Sequence, residues 1–429
     1  MRLALAALLL GTTCALADVN SFAVKDVRVF DGDRTIASAN VVVRDGRIVS
    51  VGSEAVPSGL AVIDGKGKTL LPGLIDAHVH VFPGAQQDAL RFGVTTELDM
   101  FSMMADFPHW KAQRESLAKT DAADTWSAGI GVTAPGGHPT QMAPPGAVPT
   151  LAPGDDAKAF VDARIAEGSD YIKLILEDLS EYPGRKAMPT LTRDQVCAVV
   201  AEAHAKGKIA VVHVQTEDAA RIAIGCGADG LAHMYPNAKA DPAVVAEAKA
   251  RHLFIETTAS VWAGASGIDM AAKLASDPRV KPYLSPAQTR SLTYSDKKPM
   301  TEFFPNVLES IRRYHAAGVT LLPSTDAPNP ATAHGPSLHE ELQIYVMAGY
   351  TPEEALHAAT AGTASVYRLG DRGHVKAGDR ADLLLVDGDP TTNIADTLSI
   401  ARIWKNGYAV ARTAPTTDPR PPLQGKGAP

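Results

Sequence analysis

Two histidines, His78 and His80, close the run GLIDAHVH (73–80). The residues before them are largely apolar, so the run reads as a buried strand. Side chains two apart on a strand point to one side. Two imidazoles side by side can bind a metal ion, but a His-x-His pair needs further ligands from elsewhere in the chain. Four other polar residues sit in or just after strand-like apolar runs: Lys173 in YIKLI, His213 in IAVVHV, His233 in GLAHM and Asp326 in VTLLPSTDAP. Each alone has an ordinary reading. A lone strand histidine is commonly a core or surface residue, a lysine an ion-pair partner, and an aspartate before Ala-Pro a turn or helix cap. Together they say more, because a buried Lys and Asp are costly unless they find partners.

The elements that must carry these residues alternate. Between about 73 and 367 we count eight strand candidates: 74–80, 94–100, 125–133, 171–176, 209–214, 230–234, 253–258 and 319–325. Helical patterns separate most of them; the one at 192–207 has Thr192 as N-cap and Gly207 as stop. Eight β/α units over this length predict an α/β fold, a (β/α)8 TIM barrel, with a doubly wound sheet as the alternative. In a barrel the C-terminal strand ends share one rim, so the six polar residues on five strands converge there. Residues 19–72 and 381–412 have a different texture, short strands joined by turns. Asp-Gly pairs at 31–32, 45–46 and 64–65 and Asn406-Gly407 are hairpin signals. The two ends are expected to pair in a small β-sandwich. The organisation predicted is therefore 18–72 and 368–412 as sandwich, 73–367 as barrel, and 413–429 as a loose tail. Segments 101–124 and 259–318 are the long connections, the second a lid over the site.

Composition narrows the class. The chain has 429 residues, 45% hydrophobic and 21% charged, which is ordinary for a globular protein. The net charge of −7 is dispersed, with no basic run, so nucleic acid is not an expected partner. MRLALAALLLGTTCALA reads as an export signal: Arg2, an apolar run from Leu3 to Leu10, and Ala15-Leu16-Ala17 as cleavage site. The run is too short to span a bilayer. A periplasmic or secreted chain beginning near Asp18 is expected, without stable membrane insertion; the alternative is a lipoprotein anchored at Cys14. Cys197 and Cys226 read as two small buried side chains, with a disulfide as the other reading.

LPGLIDAHVH, the strand-4 lysine, the two single histidines, STDAP and the segment HAATAGTASVYRLGDRGHVKAGDRADLLLVDGDP resemble the amidohydrolase superfamily of metal-dependent hydrolases. The imidazolonepropionase-like and prolidase-like branch is the most similar. The resemblance covers nearly the whole chain and implies a site for two divalent ions, zinc first among them. It places His78, His80 and Asp326 on the buried ion and His213 and His233 on the outer one. It bridges the two with Lys173 as a carbamate made with CO2, since an unmodified Lys offers donors and no lone pair. The ions would acidify a bridging water, with Asp326 as general base. A small-molecule amide, a peptide or N-acyl amino acid, would be cleaved at its C–N bond. Alternatives on the same fold are a lactonase or ester hydrolase and a mononuclear deaminase; a non-catalytic binding relative would usually have lost ligands. Loop residues complete the expectation: His138 in APGGHPTQM and Tyr235 as donors to the developing oxyanion, and His334 as a weaker candidate. His138 is followed by Pro139 where prolidase-like relatives often carry glycine, which puts dipeptidase specificity in doubt. His204, His252 and His315 near helix C-termini, and Met100, Phe101, Met103 and Met104 as packing groups, are set aside from the metal. Relatives often assemble, so a homo-oligomer is left open.

Overall fold

The computed structural model describes residues 20–415; the signal segment, Cys14 and most of the expected tail lie outside the described residues. The chain opens with β1 (Phe22–Phe30), β2 (Thr35–Arg44), β3 (Arg47–Gly52), β4 (Ala61–Asp64) and β5 (Lys68–Pro72). Asp45 and Gly46 turn β2 into β3 with φ of 48° and 76°, the positive values that a tight hairpin of this twist requires. Asp64-Gly65 does not make the expected hairpin. Instead, β4 and β5 each pair parallel with β1. Gly65 is there for space: a Cβ on it would lie 2.4 Å from the Val27 Cβ.

Eight parallel strands follow: β6 (Leu74–Val79), β7 (Val94–Asp99), β8 (Asp124–Ser127), β9 (Ile172–Leu176), β10 (Ala210–Val214), β11 (Gly230–Ala232), β12 (Phe254–Glu256) and β13 (Thr320–Leu322). Seven lie inside the expected strands and β8 begins one residue before its own; each is followed by a helix, giving a TIM-barrel-type α/β fold. The strands form two sheets, β6-β7-β8 and β9-β10-β11-β12-β13. Single parallel bridges, Val132 to Leu174 and Val79 to Ala327, link the sheets at both junctions. The third strand is shorter than expected. Gly129, at φ 64°, takes the chain out of the strand, and pairing resumes at Val132. Thr192 caps the helix Arg193–Ala205 through a reciprocal capping box with Gln195. The segment after β12 is a packed helical insert; Ala271, Leu274, Leu284 and Leu292 share a core with Phe92 and Ala331.

The last strands, β14 (Leu383–Asp387), β15 (Ile400–Lys405) and β16 (Tyr408–Ala409), return to the first ones. β14 runs antiparallel to β5, so both chain ends share one eight-stranded sheet. Phe22 stacks on Trp404 across it, ring centroids 4.7 Å apart. A buried charge cluster ties this sheet to the barrel strands. Lys405 Nζ lies 2.7 Å from Asp124 and 2.6 Å from Asp382, and Arg372 reaches the same Asp124 oxygen at 2.8 Å.

One feature of the strands positions the site. Ile75, Ala77, Leu98, Tyr171, Val211, Ala232, Phe254 and Leu322 form an apolar cluster with one another. Lys173, His213 and Glu256 come two residues after Tyr171, Val211 and Phe254 and so share their face. The apolar floor therefore lies one strand step below a polar layer. Cys197 and Cys226 form a disulfide, which corrects the reading of two buried thiols. Neither is fully buried, and they sit on the helix Arg193–Ala205 and just after the helix Glu217–Gly225.

Candidate metal centre

His78 and His80 leave β6 toward the polar layer. His213 comes from β10, Lys173 from β9, His233 from the residue after β11 and Asp326 from the loop after β13. The six expected ligands come from elements that meet at one end of the strands. Ligating atoms of His78, His233 and Asp326 all fall within 4.8 Å of one another. His80 Nε2 is 3.0 Å and His78 Nε2 3.5 Å from Asp326 Oδ1. The His213 and His233 ring centroids are 4.3 Å apart. His233 and Asp326 adopt positive φ, 75° and 52°, rare for such residues and found where surrounding structure fixes a functional group.

Each imidazole is tied outward at one nitrogen and turns the other inward, toward Asp326 or a neighbouring ring. His78 Nδ1 is 2.8 Å from Glu256 Oε2, while its Nε2 is buried without a partner. His80 Nδ1 donates to the Phe101 carbonyl at 3.0 Å. His213 Nε2 is 2.6 Å from Glu177 Oε2, and His233 Nδ1 is 2.8 Å from Thr258 Oγ1. An outer acceptor of this kind fixes the tautomer and leaves the inner nitrogen as a ligand. The inner nitrogens of His213 and His233 then stand 3.0 Å apart. Two lone pairs at that distance repel unless a cation or proton sits between them. Lys173 Nζ is likewise buried without a hydrogen-bond partner, and Asp326 Oδ1 faces the inner nitrogens of His80 and His78. Orphaned donors of this number in one place are what a metal would satisfy.

The electrostatics fit. Burial, with Lys173 and the neighbouring rings, holds His78 and His233 well below the usual histidine range, and His213 down at about 3. They are neutral, the form that ligates. At His80 burial opposes protonation, but the hydrogen bond and charge of Asp326 outweigh it and raise the value. Burial lowers Lys173 to about 8 and lifts Glu177 to about 7 and Glu256 to about 8. Nitrogen and oxygen donors of this kind suit zinc, with other divalent first-row metals as competitors.

Of the loop residues, His138 stands beside the centre. Gln141 Nε2 donates to its Nδ1 at 2.8 Å, which leaves the proton on Nε2, 3.9 Å from Glu177 Oε2. Its ring lies 5.8 Å from that of His213. Tyr235 is a correction. Its hydroxyl faces Tyr314 at 3.1 Å and Glu217 at 3.3 Å, among residues of the surrounding helices, and it does not serve as an oxyanion donor. His334 is also elsewhere; its Nδ1 pairs with Glu97 at 2.6 Å. Glu177, Glu256 and Thr258 were not singled out from the sequence. One of them carried a signal: Glu256 is a charge inside the strand Phe254–Glu256, whereas Glu177 comes just after the strand Ile172–Leu176. Met103 and Met104 are exposed, and the backbone of Phe101 orients His80.

Known proteins give the same picture. The imidazolonepropionase of Mycolicibacterium smegmatis is 24% identical, over 95% of this chain and all of that one. An adenine deaminase of Halalkalibacterium halodurans is 24% identical over 90% of this chain and 55% of its own length. Among solved structures, a prolidase complexed with N-methylphosphonate-L-proline superposes with a TM-score of 0.71 at 21% identity, covering 92% of this chain and all of that one. The ochratoxinase of A. niger follows at 0.67 and 20%, covering 91% and 95%. The model of the amidohydrolase family, whose members are metal-dependent, matches residues 69–410. The chain belongs to the amidohydrolase family and is a hydrolase of C–N bonds.

Proposed function

We propose that the chain is an exported amidohydrolase that holds two divalent ions, most readily zinc, and cleaves an amide-like C–N bond in a small peptide or N-acyl amino acid. The observation that carries this reading is the set of four imidazoles, each tied outward at one nitrogen and turned inward at the other, around Lys173 and Asp326. His78, His80 and Asp326 would hold one ion and His213 and His233 the other. Lys173 would bridge them as a carbamate. Its Nζ is buried without a partner, and burial to about 8 leaves part of it as the neutral amine that reacts with CO2, releasing one proton. The bound ions would acidify a water and polarise the scissile carbonyl.

The chain's own groups then move the protons. Asp326 takes the proton of the attacking water and delivers it to the leaving nitrogen as the C–O bond forms and the C–N bond breaks. His138 donates its Nε2 proton as a hydrogen bond to the carbonyl oxygen as charge develops there. Pairing of Cys197 with Cys226 supports the export reading, because such bonds persist in oxidising compartments. The test is elemental mass spectrometry of protein expressed with zinc and bicarbonate, followed by a panel of dipeptides and N-acyl amino acids. Two metals per chain and turnover of a panel member are expected. One metal would move the reading to a mononuclear deaminase, and none after reconstitution would refute it.

A further inference from the structure

The loop after β9 brings a cation to the edge of the metal centre without giving it a carboxylate. Tyr182-Pro183-Gly184-Arg185 is a type II turn. The Arg185 N–H donates to the Tyr182 carbonyl at 3.0 Å, Pro183 fills the second position, and Gly184 takes the third with φ 79°. The turn sets the two flanking side chains together, with Arg185 Cζ 5.9 Å from the Tyr182 ring centroid. The loop is a fixed one. Met188 N–H closes it onto the Asp178 carbonyl at 2.8 Å, and Asp178 also accepts from Ser180. Pro189 then packs on Gly136-Gly137, where a Cβ at Gly137 would stand 2.6 Å from the Pro189 carbonyl oxygen. The turn is thereby locked to the loop that presents His138.

Tyr182 is aimed by a residue of the ligand strand. Gln215, two residues beyond His213, donates from Nε2 to the Tyr182 hydroxyl oxygen at 2.7 Å. That oxygen already accepts, so its own proton is left to donate. The other atom of the Gln215 amide, Oε1, is buried with no partner. Gln215 follows the proposed ligand His213 by two residues, so the bond brings the Tyr182 hydroxyl to the His213 side of the metal centre, with Arg185 beside its ring. Arg185 is half-buried, and no carboxylate of the described residues makes an ion pair with it. Glu177 Oε2 is committed to His213. A guanidinium presents a planar fork of donors that matches a carboxylate, and a neighbouring phenol adds a third donor.

We propose that Arg185 and Tyr182, at the two ends of the Pro183-Gly184 turn, form a subsite that receives a carboxylate of the substrate. The substrates are then amides that carry a free carboxylate, and neutral carboxamides are discriminated against. This rests on the hydrolase reading above. The unpaired Gln215 Oε1 adds an acceptor beside the carboxylate, suited to an N–H of the same substrate.

The test uses the zinc-loaded full chain with N-acetyl-L-leucine, L-leucyl-L-proline and the C-terminal carboxamide of each. Zinc content is measured alongside, and binding of L-leucine and L-leucinamide is measured by calorimetry. Wild type should favour the acids over the carboxamides by about tenfold to a hundredfold in kcat/KM, the range for a charge-assisted contact. In Arg185→Met that preference should fall to within a few-fold through KM, with zinc content unchanged. Arg185→Lys, which keeps the charge and loses the fork, should fall between. Wild type that treats acids and carboxamides alike, or Arg185→Met that keeps the preference, overturns the subsite while leaving the hydrolase standing. If no probe is cleaved, the hydrolase reading has failed and calorimetry decides the subsite. Loss of the preference for L-leucine over L-leucinamide in Arg185→Met sustains it; absence of any preference in wild type, or of any binding, overturns it.

Discussion

Glu256 holds the most deeply buried ligand, and its replacement gives a worked prediction. Its Oε2 lies 2.8 Å from His78 Nδ1, and its Oε1 accepts from the Tyr367 hydroxyl. Glu256→Gln keeps the volume and an acceptor for His78, and Tyr367 can turn to accept from the new amide. What is lost is the charge. A charge-assisted hydrogen bond is worth roughly 1.5–3 kcal/mol against about 1 for a neutral one. The difference of about 0.5–2 kcal/mol predicts zinc binding weakened about 2- to 30-fold, overlapping the lower part of the roughly 10- to 100-fold range for partners behind metal-bound histidines. Burial pushes Glu256 up to about 8 in the metal-free chain. Zinc uptake below that pH should therefore expel a proton from it, and Glu256→Gln should abolish that part of the release. Glu256→Ala acts differently. It leaves the His78 N–H and the Tyr367 O–H buried without acceptors, at roughly 1–3 kcal/mol each, so the metal-free protein should lose about 2–6 kcal/mol. Competition with a chromogenic chelator reads the first effect, and urea unfolding of the metal-free protein the second. Glu256→Gln that binds zinc as wild type does, or Glu256→Ala that unfolds at the wild-type midpoint, would refute the reasoning.

Lys173→Ala should lose metal and turnover, with partial rescue by short carboxylates; full activity in its absence would remove the bridge. His138→Ala should lower turnover about a hundredfold, as for one oxyanion donor, with metal retained. Tyr235→Phe should leave turnover near wild type, since its hydroxyl faces Tyr314; steady-state kinetics on the pair separates the two assignments. Burial raises Glu341 to about 8, against which Ser260 and Thr257 donate to it. A carboxyl raised in the folded state binds more protons there than when unfolded, so its contribution is complete below about pH 4.5 and is lost as pH rises toward 8. Glu341→Gln should flatten that slope, on the order of 1 kcal/mol per pH unit, in unfolding free energies measured across the window. An unchanged slope would acquit Glu341. Cys197→Ser with Cys226→Ser opens a cross-link between residues 29 apart and should cost about 3–4 kcal/mol by loop entropy, read as an unfolding midpoint that no longer responds to reductant.

The proposed metal ligands were legible because parallel barrel strands are apolar runs, in which one histidine or lysine stands out. Their outer partners were harder. Glu177 follows its strand, where an acid looks like a loop residue or a helix cap, and nothing in sequence says that Thr258 faces His233. Tyr235 was misplaced for a definite reason. Its two-residue spacing from His233 suggested one strand face, but β11 ends at Ala232 and His233 already has φ 75°, so alternation no longer holds. The disulfide stood only as the second reading because its cysteines are distant in sequence. Consecutive β/α units set their helices side by side, a relation that appears only once the strands are ordered. The hairpin pairs at 45–46 and 406–407 read correctly because positive φ at both positions is what those residues permit. At 64–65 the same dipeptide served packing against Val27 instead.

The union of the two chain ends bears on when this protein can fold during its synthesis. β5 finds its antiparallel neighbour β14 some three hundred positions later, and Asp124 of the barrel finds Lys405 almost as far on. Contacts of such long separation close late, because the chain between them must first be gathered. Until the ribosome has delivered the final strands, β5 keeps an open edge and Asp124 keeps an unanswered charge. A nascent chain in that condition stays unfinished and pliable, a state that would suit the export proposed above. The eight-stranded sheet is complete only once β14, β15 and β16 have been made.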